Sequence, residues 1–206
     1  MARPKATRLG RPPASSAGDT RQRIISVAAE LFADNGYGVT TNKDVAIRAG
    51  ISTGALYYYF ESKLDMYVAV FLELQARIDE RMGEVMQKET TFKGRLRGIL
   101  AVAYDLNRED PAIARFQGTA RVDRMRHPEL RKAIPHPPGE GAGLMRDLID
   151  GGVETGEIRP DRKHQAEAVI KTLFVGLVDG QSADSVNQRQ AIEGIDAWLE
   201  NELFDL

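Results

Sequence analysis

The sequence predicts an all-α chain of about nine helices, on three observations. From residue 24 onward, apolar residues recur at intervals of three, four and seven, the period of helices that bury one face. No stretch alternates in twos as a half-buried strand does. Cap and stop residues punctuate the periodic stretches: Thr41, Ser52, Ser62 and Asp110 stand before helices, and Asn35-Gly36 and Gly50 stand after them.

Residues 1–18 contain Arg3, Lys5, Arg8 and Arg11, three prolines and no acid, which predicts an unstructured basic arm. Within it, Gly10-Arg11-Pro12 with Arg8 upstream is similar to arms that lay an extended arginine in the narrow minor groove of A/T-rich DNA. A solvated tail fits the same residues. The first helix is expected from Asp19, an N-cap with Gln22 three residues on, through Ile24, Ala28, Leu31 and Phe32 to a stop at Asn35-Gly36. Thr41 caps a second, short helix with Asp44 as its capping-box partner; Val45, Ala46 and Ala49 face inward, and Gly50 ends it. Ser52 starts a third helix through Leu56, Tyr57, Tyr58 and Phe60. Two short helices joined by a tight Gly-containing turn and packed on a longer one form a helix-turn-helix.

Ser62 caps a fourth helix with apolar positions Leu64, Val68, Phe71, Ile78, Met82 and Val85. Near 25 residues it would be about 37 Å long, enough to join two domains. Further helices are expected at about 92–107, 110–127 (Asp110 as N-cap before Pro111), 140–154, 162–180 and 188–203, with a turn at 129–134 and a proline loop at 135–138. The expected organisation is a basic arm at 1–18, a helix-turn-helix domain at 19–65, and a second helical domain at 66–206.

Composition limits what such a chain does. With 206 residues, 42% hydrophobic and 28% charged, it has ordinary globular usage, which excludes extended disorder over most of its length. The absence of cysteine excludes a disulfide framework, a thiolate metal site and a cysteine nucleophile, and fits the reducing cytoplasm, the expected location. Apolar stretches such as 67–72 fall far short of the roughly 18 residues of a membrane span, and no apolar core follows the basic start, so neither an anchor nor a leader is expected. Residues 1–60 carry 8 Lys+Arg against 4 Asp+Glu, and the remainder carries 20 against 26. That asymmetry points the N-terminal part toward a polyanion.

The first turn of the third helix presents Ser52, Thr53, Gly54 and Ala55, all small enough for the backbone to sit deep in a major groove. Thr53 offers a hydrogen bond to a base edge, Ala55 an apolar contact to a thymine methyl, and Tyr58 lies one turn on. Thr41 and Lys43 open the second helix where backbone phosphates would lie, and Lys43 has the reach for a base instead. Leu56 and Phe60 belong in the core, with Tyr59 partly so. Three tyrosines cannot all be buried here without unpaired hydroxyls, so Tyr57 and Tyr58 are expected to face out.

Over residues 19–67 the chain resembles TetR-family transcriptional regulators. The resemblance rests on Ile24-Ile25, Ala28-Ala29-Glu30-Leu31-Phe32, Gly36-Tyr37, Thr40-Thr41, Val45-Ala46, Ala49-Gly50-Ile51-Ser52, Gly54-Ala55-Leu56-Tyr57, Tyr59-Phe60 and Ser62-Lys63. Farther on, His127-Pro128-Glu129-Leu130 and Gly156-Glu157-Ile158-Arg159-Pro160-Asp161 recur in some members. The resemblance implies phosphate contacts from Tyr57 and Lys63. It also implies a homodimeric repressor on a palindromic operator, released when a small-molecule inducer enters the C-terminal domain. Helix four, touching both domains, is the expected lever.

Two C-terminal helices are apolar on more than one side. The stripe of Leu173, Gly176, Leu177, Gly180, Ile195, Trp198 and Leu199 matches the family's four-helix dimer interface, although a thick monomeric core would use the same residues. Phe71, Tyr104, Phe116 and Phe174 are candidate aromatic walls of a ligand pocket, with Gln75, Gln117 and Arg121 as polar handles; they suggest a partly apolar ligand. No cofactor, metal or enzymatic activity is expected. The only histidines, His127, His136 and His164, lack metal-ligand spacing to one another, and the glycines of 139–143 follow a proline loop, not a strand. A constitutive architectural DNA binder would share the N-terminal part but have a tightly filled C-terminal core. An α-helical enzyme would need a buried ionisable constellation that this sequence does not display.

Overall fold

The computed structural model of the chain describes residues 14–134, 143–180 and 185–200. All regular structure among the described residues is helical: α1 (Ala14–Val39), α2 (Asn42–Arg48), α3 (Thr53–Tyr59), α4 (Lys63–Lys88), α5 (Phe92–Glu109), α6 (Pro111–Arg126), α7 (Pro128–Ala133), α8 (Leu144–Glu154), α9 (Lys163–Gly180) and α10 (Ser185–Leu199). The tenth helix is α7, where a turn was expected. Pro128 occupies its first turn and Glu129 favours its positive end, signals that a six-residue helix shows only through its caps.

Local chemistry sets the headpiece. α1 already runs from Ala14, so Asp19 lies inside it and does not cap it. At Gly36 the backbone enters the left-handed region with φ 76°, which is open to glycine at least cost, and an added Cβ would lie 3.1 Å from Asp123 Oδ1. Thr41 caps α2: Asp44 N donates to Thr41 Oγ1 and Thr41 N to Asp44 Oδ2, closing the capping box. The Thr41 hydroxyl, which donates to Asp44 Oδ2 at 2.6 Å, and then Thr41 N hold the Asp44 carboxyl below its ordinary range. Gly50 turns the chain at φ 68°, and Ser52 Oγ accepts from Ala55 N to open α3. An ion pair of 2.7 Å between Arg48 and Glu30 ties α2 to α1.

Packing forms two apolar cores. The first gathers Ile24, Ile25, Ala28 and Phe32 of α1, Val45 and Ala46 of α2, Leu56 of α3, Met66, Tyr67 and Val70 of α4, Phe116 and Ala120 of α6 and Leu130 of α7. It therefore continues past residue 65 into α6 and α7. The second joins Leu96 and Ile99 of α5, Leu148 and Ile149 of α8, and Ile170 and Leu177 of α9, with Ile192, Ile195 and Leu199 of α10 packed against it. The burial stripe of α4 is set differently from its expected one: Met66, Tyr67, Val70, Phe71 and Leu74 are buried, whereas Leu64, Val68 and Ile78 are only partly covered. Residues Met82 and Val85 of α4 reach the second core, so this helix spans both. No helix of the described residues is long and apolar enough to cross a membrane.

Candidate nucleic-acid interface and interior cavity

On α3 the side chains divide as groove reading requires. Leu56 is buried, whereas Tyr57 and Tyr58 are 53% and 66% exposed, and Thr53 and Gly54 lie on the surface with Ala55 half-buried. Tyr57 is braced by Asn42 Nδ2, which donates to its hydroxyl at 3.2 Å. Tyr58 meets Tyr59 edge to face at 5.2 Å. Thr41 and Lys43 are exposed at the start of α2. Val39 and Ile47, large apolar residues left exposed on the same headpiece, were not among the expected contacts. Arg8 and Arg11 lie outside the described residues.

Lys63 departs from its expected phosphate-facing position. Its ammonium donates to the carbonyls of Tyr37 at 2.6 Å and Thr40 at 3.0 Å and sits 4.4 Å from the centre of the Tyr37 ring. The carbonyls left open where α1 ends attract the cation inward, so Lys63 fastens α4 to α1.

Behind the headpiece lies a buried polar knot that the sequence did not reveal. Asp123 of α6, 5% exposed, accepts from Tyr37 N at 2.8 Å and from the Tyr67 hydroxyl at 3.2 Å. Burial, reinforced by the neighbouring Asp123 carboxylate, drives the Tyr67 phenol far above its ordinary range, so it stays protonated and donates. Burial and then Glu129 raise Tyr37 as well. The His127 ring packs against Tyr37 at 5.1 Å. Two further contacts from the same face of α6 reach α1: Thr119 Oγ1 donates to Ala33 O at 3.0 Å, and Arg115 pairs with Asp34 at 3.4 Å. Arg115, Thr119 and Asp123 stand four residues apart, one helical stripe.

The opposite stripe of α6, Ile113, Ala114, Gln117 and Arg121, faces a cavity of about 350 Å³. Its walls are mostly aliphatic, from Ile78 and Met82 of α4, Ile99 and Leu106 of α5, Leu144, Met145 and Leu148 of α8, and Phe174, Val175 and Leu177 of α9. Of the residues named for a ligand site, Gln75, Gln117, Arg121 and Phe174 line it. Phe71, Tyr104 and Phe116 do not line it. Phe71 and Phe116 fill the first core, Phe116 tilted against Tyr67 at 5.3 Å; the Tyr104 hydroxyl accepts from Arg189 at 3.2 Å. A cavity of this size and lining lies within the range of small-molecule sites.

The candidate interface residues fall in two groups. Leu177 is 8% exposed, and Leu173, Ile195 and Leu199 pack on their own chain's second core. Trp198 is 44% exposed and Gly176 is exposed, and so, outside the expected set, is Val169 at 43%. Gly180 ends α9.

An exposed short helix on a two-helix support, tied through α4 and α6 to a hollow helical body, has the form of a helix-turn-helix DNA-binding protein. The family model for bacterial regulatory proteins of the tetR family matches residues 24–70. The fatty acid metabolism regulator protein of Bacillus subtilis is 28% identical over 137 residues, covering 66% of this chain and 70% of that protein. The transcriptional repressor KstR2 of Mycolicibacterium smegmatis is 26% identical over 142 residues, 68% of each chain. A crystal structure of the regulator FadR from Bacillus subtilis in complex with stearoyl-CoA superposes with a TM-score of 0.66 at 24% identity, covering 89% of this chain and 99% of that one. Residues 24–70 thus carry the tetR-family regulatory domain, and the chain is a DNA-binding transcriptional regulator similar to members of that family.

Proposed function

We propose that the protein represses transcription as a homodimer on a palindromic operator, and leaves DNA when a small, largely aliphatic molecule fills the cavity. The observation that carries this reading is α6: one stripe clamps the end of α1 through Asp123 and Thr119, and the other lines the cavity. A ligand that repositions α6 also repositions the support of α3. Helix α4, with Tyr67 at the knot and Ile78 and Met82 at the cavity, is a second lever. A hundredfold loss of operator affinity needs only about 2.7 kcal/mol of differential binding between two such states.

In this reading Thr53, Gly54, Ala55 and Tyr58 meet bases, and Thr41, Lys43 and Tyr57 meet the backbone. The unit at 19–65 reads DNA, and 66–206 holds the ligand and pairs subunits, through the exposed side of α9 and α10 around Val169, Gly176 and Trp198. Pairing supplies the second reading helix that successive major grooves require. The hollow body favours ligand control over a constitutive architectural role, for which a filled core was expected. The aliphatic lining and the stearoyl-CoA complex of a structural neighbour both support an inducer with an aliphatic body. The absence of cysteine supports a cytoplasmic location.

Genome-wide recovery of bound DNA, followed by footprinting and sedimentation, tests the proposal. Inverted half-sites about one helical turn apart, bound by a dimer, are expected. A single unrepeated site bound by a lone subunit would overturn it.

A further inference from the structure

The cavity holds an unanswered polar group. Gln117 is only 4% exposed, its side chain belongs to the cavity wall, and neither its amide nitrogen nor its amide oxygen has a hydrogen-bond partner. Another buried carboxamide on the same wall, Gln188, behaves differently: its oxygen accepts from Asn107 Nδ2 at 3.0 Å. Gln117 shares the wall with apolar residues such as Ile113, Leu106 and Phe174, which offer no hydrogen bond. A buried amide left unpaired at both ends destabilises the ligand-free fold.

Resting on the effector-cavity reading above, we propose that Gln117 anchors the inducer's head group, and that this group is an uncharged carboxamide, an alkyl amide or lactam, borne on an aliphatic body. The complement of a glutamine amide is another amide: its carbonyl accepts from Nε2 while its N–H donates to Oε1. An ester or ketone answers the nitrogen and leaves the oxygen unpaired. A carboxylate offers acceptors only, and a carboxylic acid is ionised at neutral pH. Of the charged wall residues, Asp79, Arg146, Glu167 and Lys171 are exposed and carry both signs, whereas Arg121, half-buried one turn along α6 from Gln117, is already partnered. Position on α6 gives the anchor its consequence, because Gln117 lies between Thr119 and Arg115 on the opposite side of the helix that clamps α1.

The test uses the full chain and three probes of one chain length, decanamide, methyl decanoate and decanoate, titrated calorimetrically against wild type, Gln117→Leu and Gln117→Met. Wild type is expected to bind decanamide about tenfold or more tighter than the ester, from two net hydrogen bonds against one and an unpaired oxygen. Both variants are expected to lose that preference and to gain thermal stability without ligand, since they no longer bury an unpaired amide. A purely structural glutamine would do the reverse, and a fall in ligand-free stability overturns the proposal. Equal affinity of wild type for amide and ester, or an amide preference that survives both variants, overturns the head-group assignment and leaves the cavity reading standing. If none of the probes binds wild type, both fall.

Discussion

The headpiece and the hollow body are both helical but are held together under different rules. In the headpiece, the bonds that start the helices are short in sequence: Thr41 with Asp44, Ser52 with Ala55, Ser62 with Asp65. The body depends on contacts such as Asp123 with Tyr37 and Glu157 with Phe92, and on a space that no single segment defines. A surface that reads an external partner can be specified locally, whereas a chamber that senses an internal one requires distant elements to agree on where not to pack.

Substitutions separate the two regions. The largest effect is expected at Phe116, which is fully buried in the first core: Phe116→Ala should cost about 3–5 kcal/mol in urea denaturation and leave the cavity wall unaltered. A loss below about 1 kcal/mol would mean that α6 does not share the headpiece core. Next comes Asp123→Ala, which strands the Tyr37 amide and the Tyr67 phenol; about 2–4 kcal/mol is expected. Asp123→Asn, keeping a carbonyl acceptor, should cost less by the same assay. Equal losses would show that the carboxylate charge and not its hydrogen bonds holds the knot.

A smaller effect is expected at Glu157. Partial burial acts to raise its pKa, but amide donors from Phe92 and Lys93 and the Thr155 hydroxyl outweigh it and hold the carboxyl below its ordinary value. Its contribution is therefore present above the unfolded-state pKa and lost as pH falls through the lowered folded-state value. The stability gap between wild type and Glu157→Gln should close on acidification below about pH 4; a gap that widens would contradict the bonding. Smallest of all, Thr53→Ala and Tyr58→Ala should shift stability by no more than about 0.5 kcal/mol, because both side chains are exposed.

What the sequence revealed follows the same division. Caps at Thr41, Ser52, Ser62, Thr91 and Asp110 all operate, though Thr91 had not been singled out, and Tyr57 and Tyr58 face out because Leu56 and Phe60 take the inward face. Helical period shows that Phe71, Phe116 and Gln117 point inward, but not whether they meet a side chain or a void. Two of those three were therefore assigned to a pocket they do not line. The role of Lys63 depends on carbonyls 26 and 23 residues away, beyond any local pattern. Asp123, an acid within the basic run of Arg121, Arg124 and Arg126, was the one visible sign of the knot.

In the proposed mechanism the outward residues of α3 read the duplex while contributing almost nothing to the fold. Fluorescence anisotropy on a recovered operator fragment and on scrambled DNA, comparing wild type with the Thr53→Ala, Tyr58→Ala double variant, tests it directly. Specific affinity should fall at least about tenfold with weak binding to scrambled DNA and the melting temperature both retained; undiminished operator preference in the double variant would contradict it.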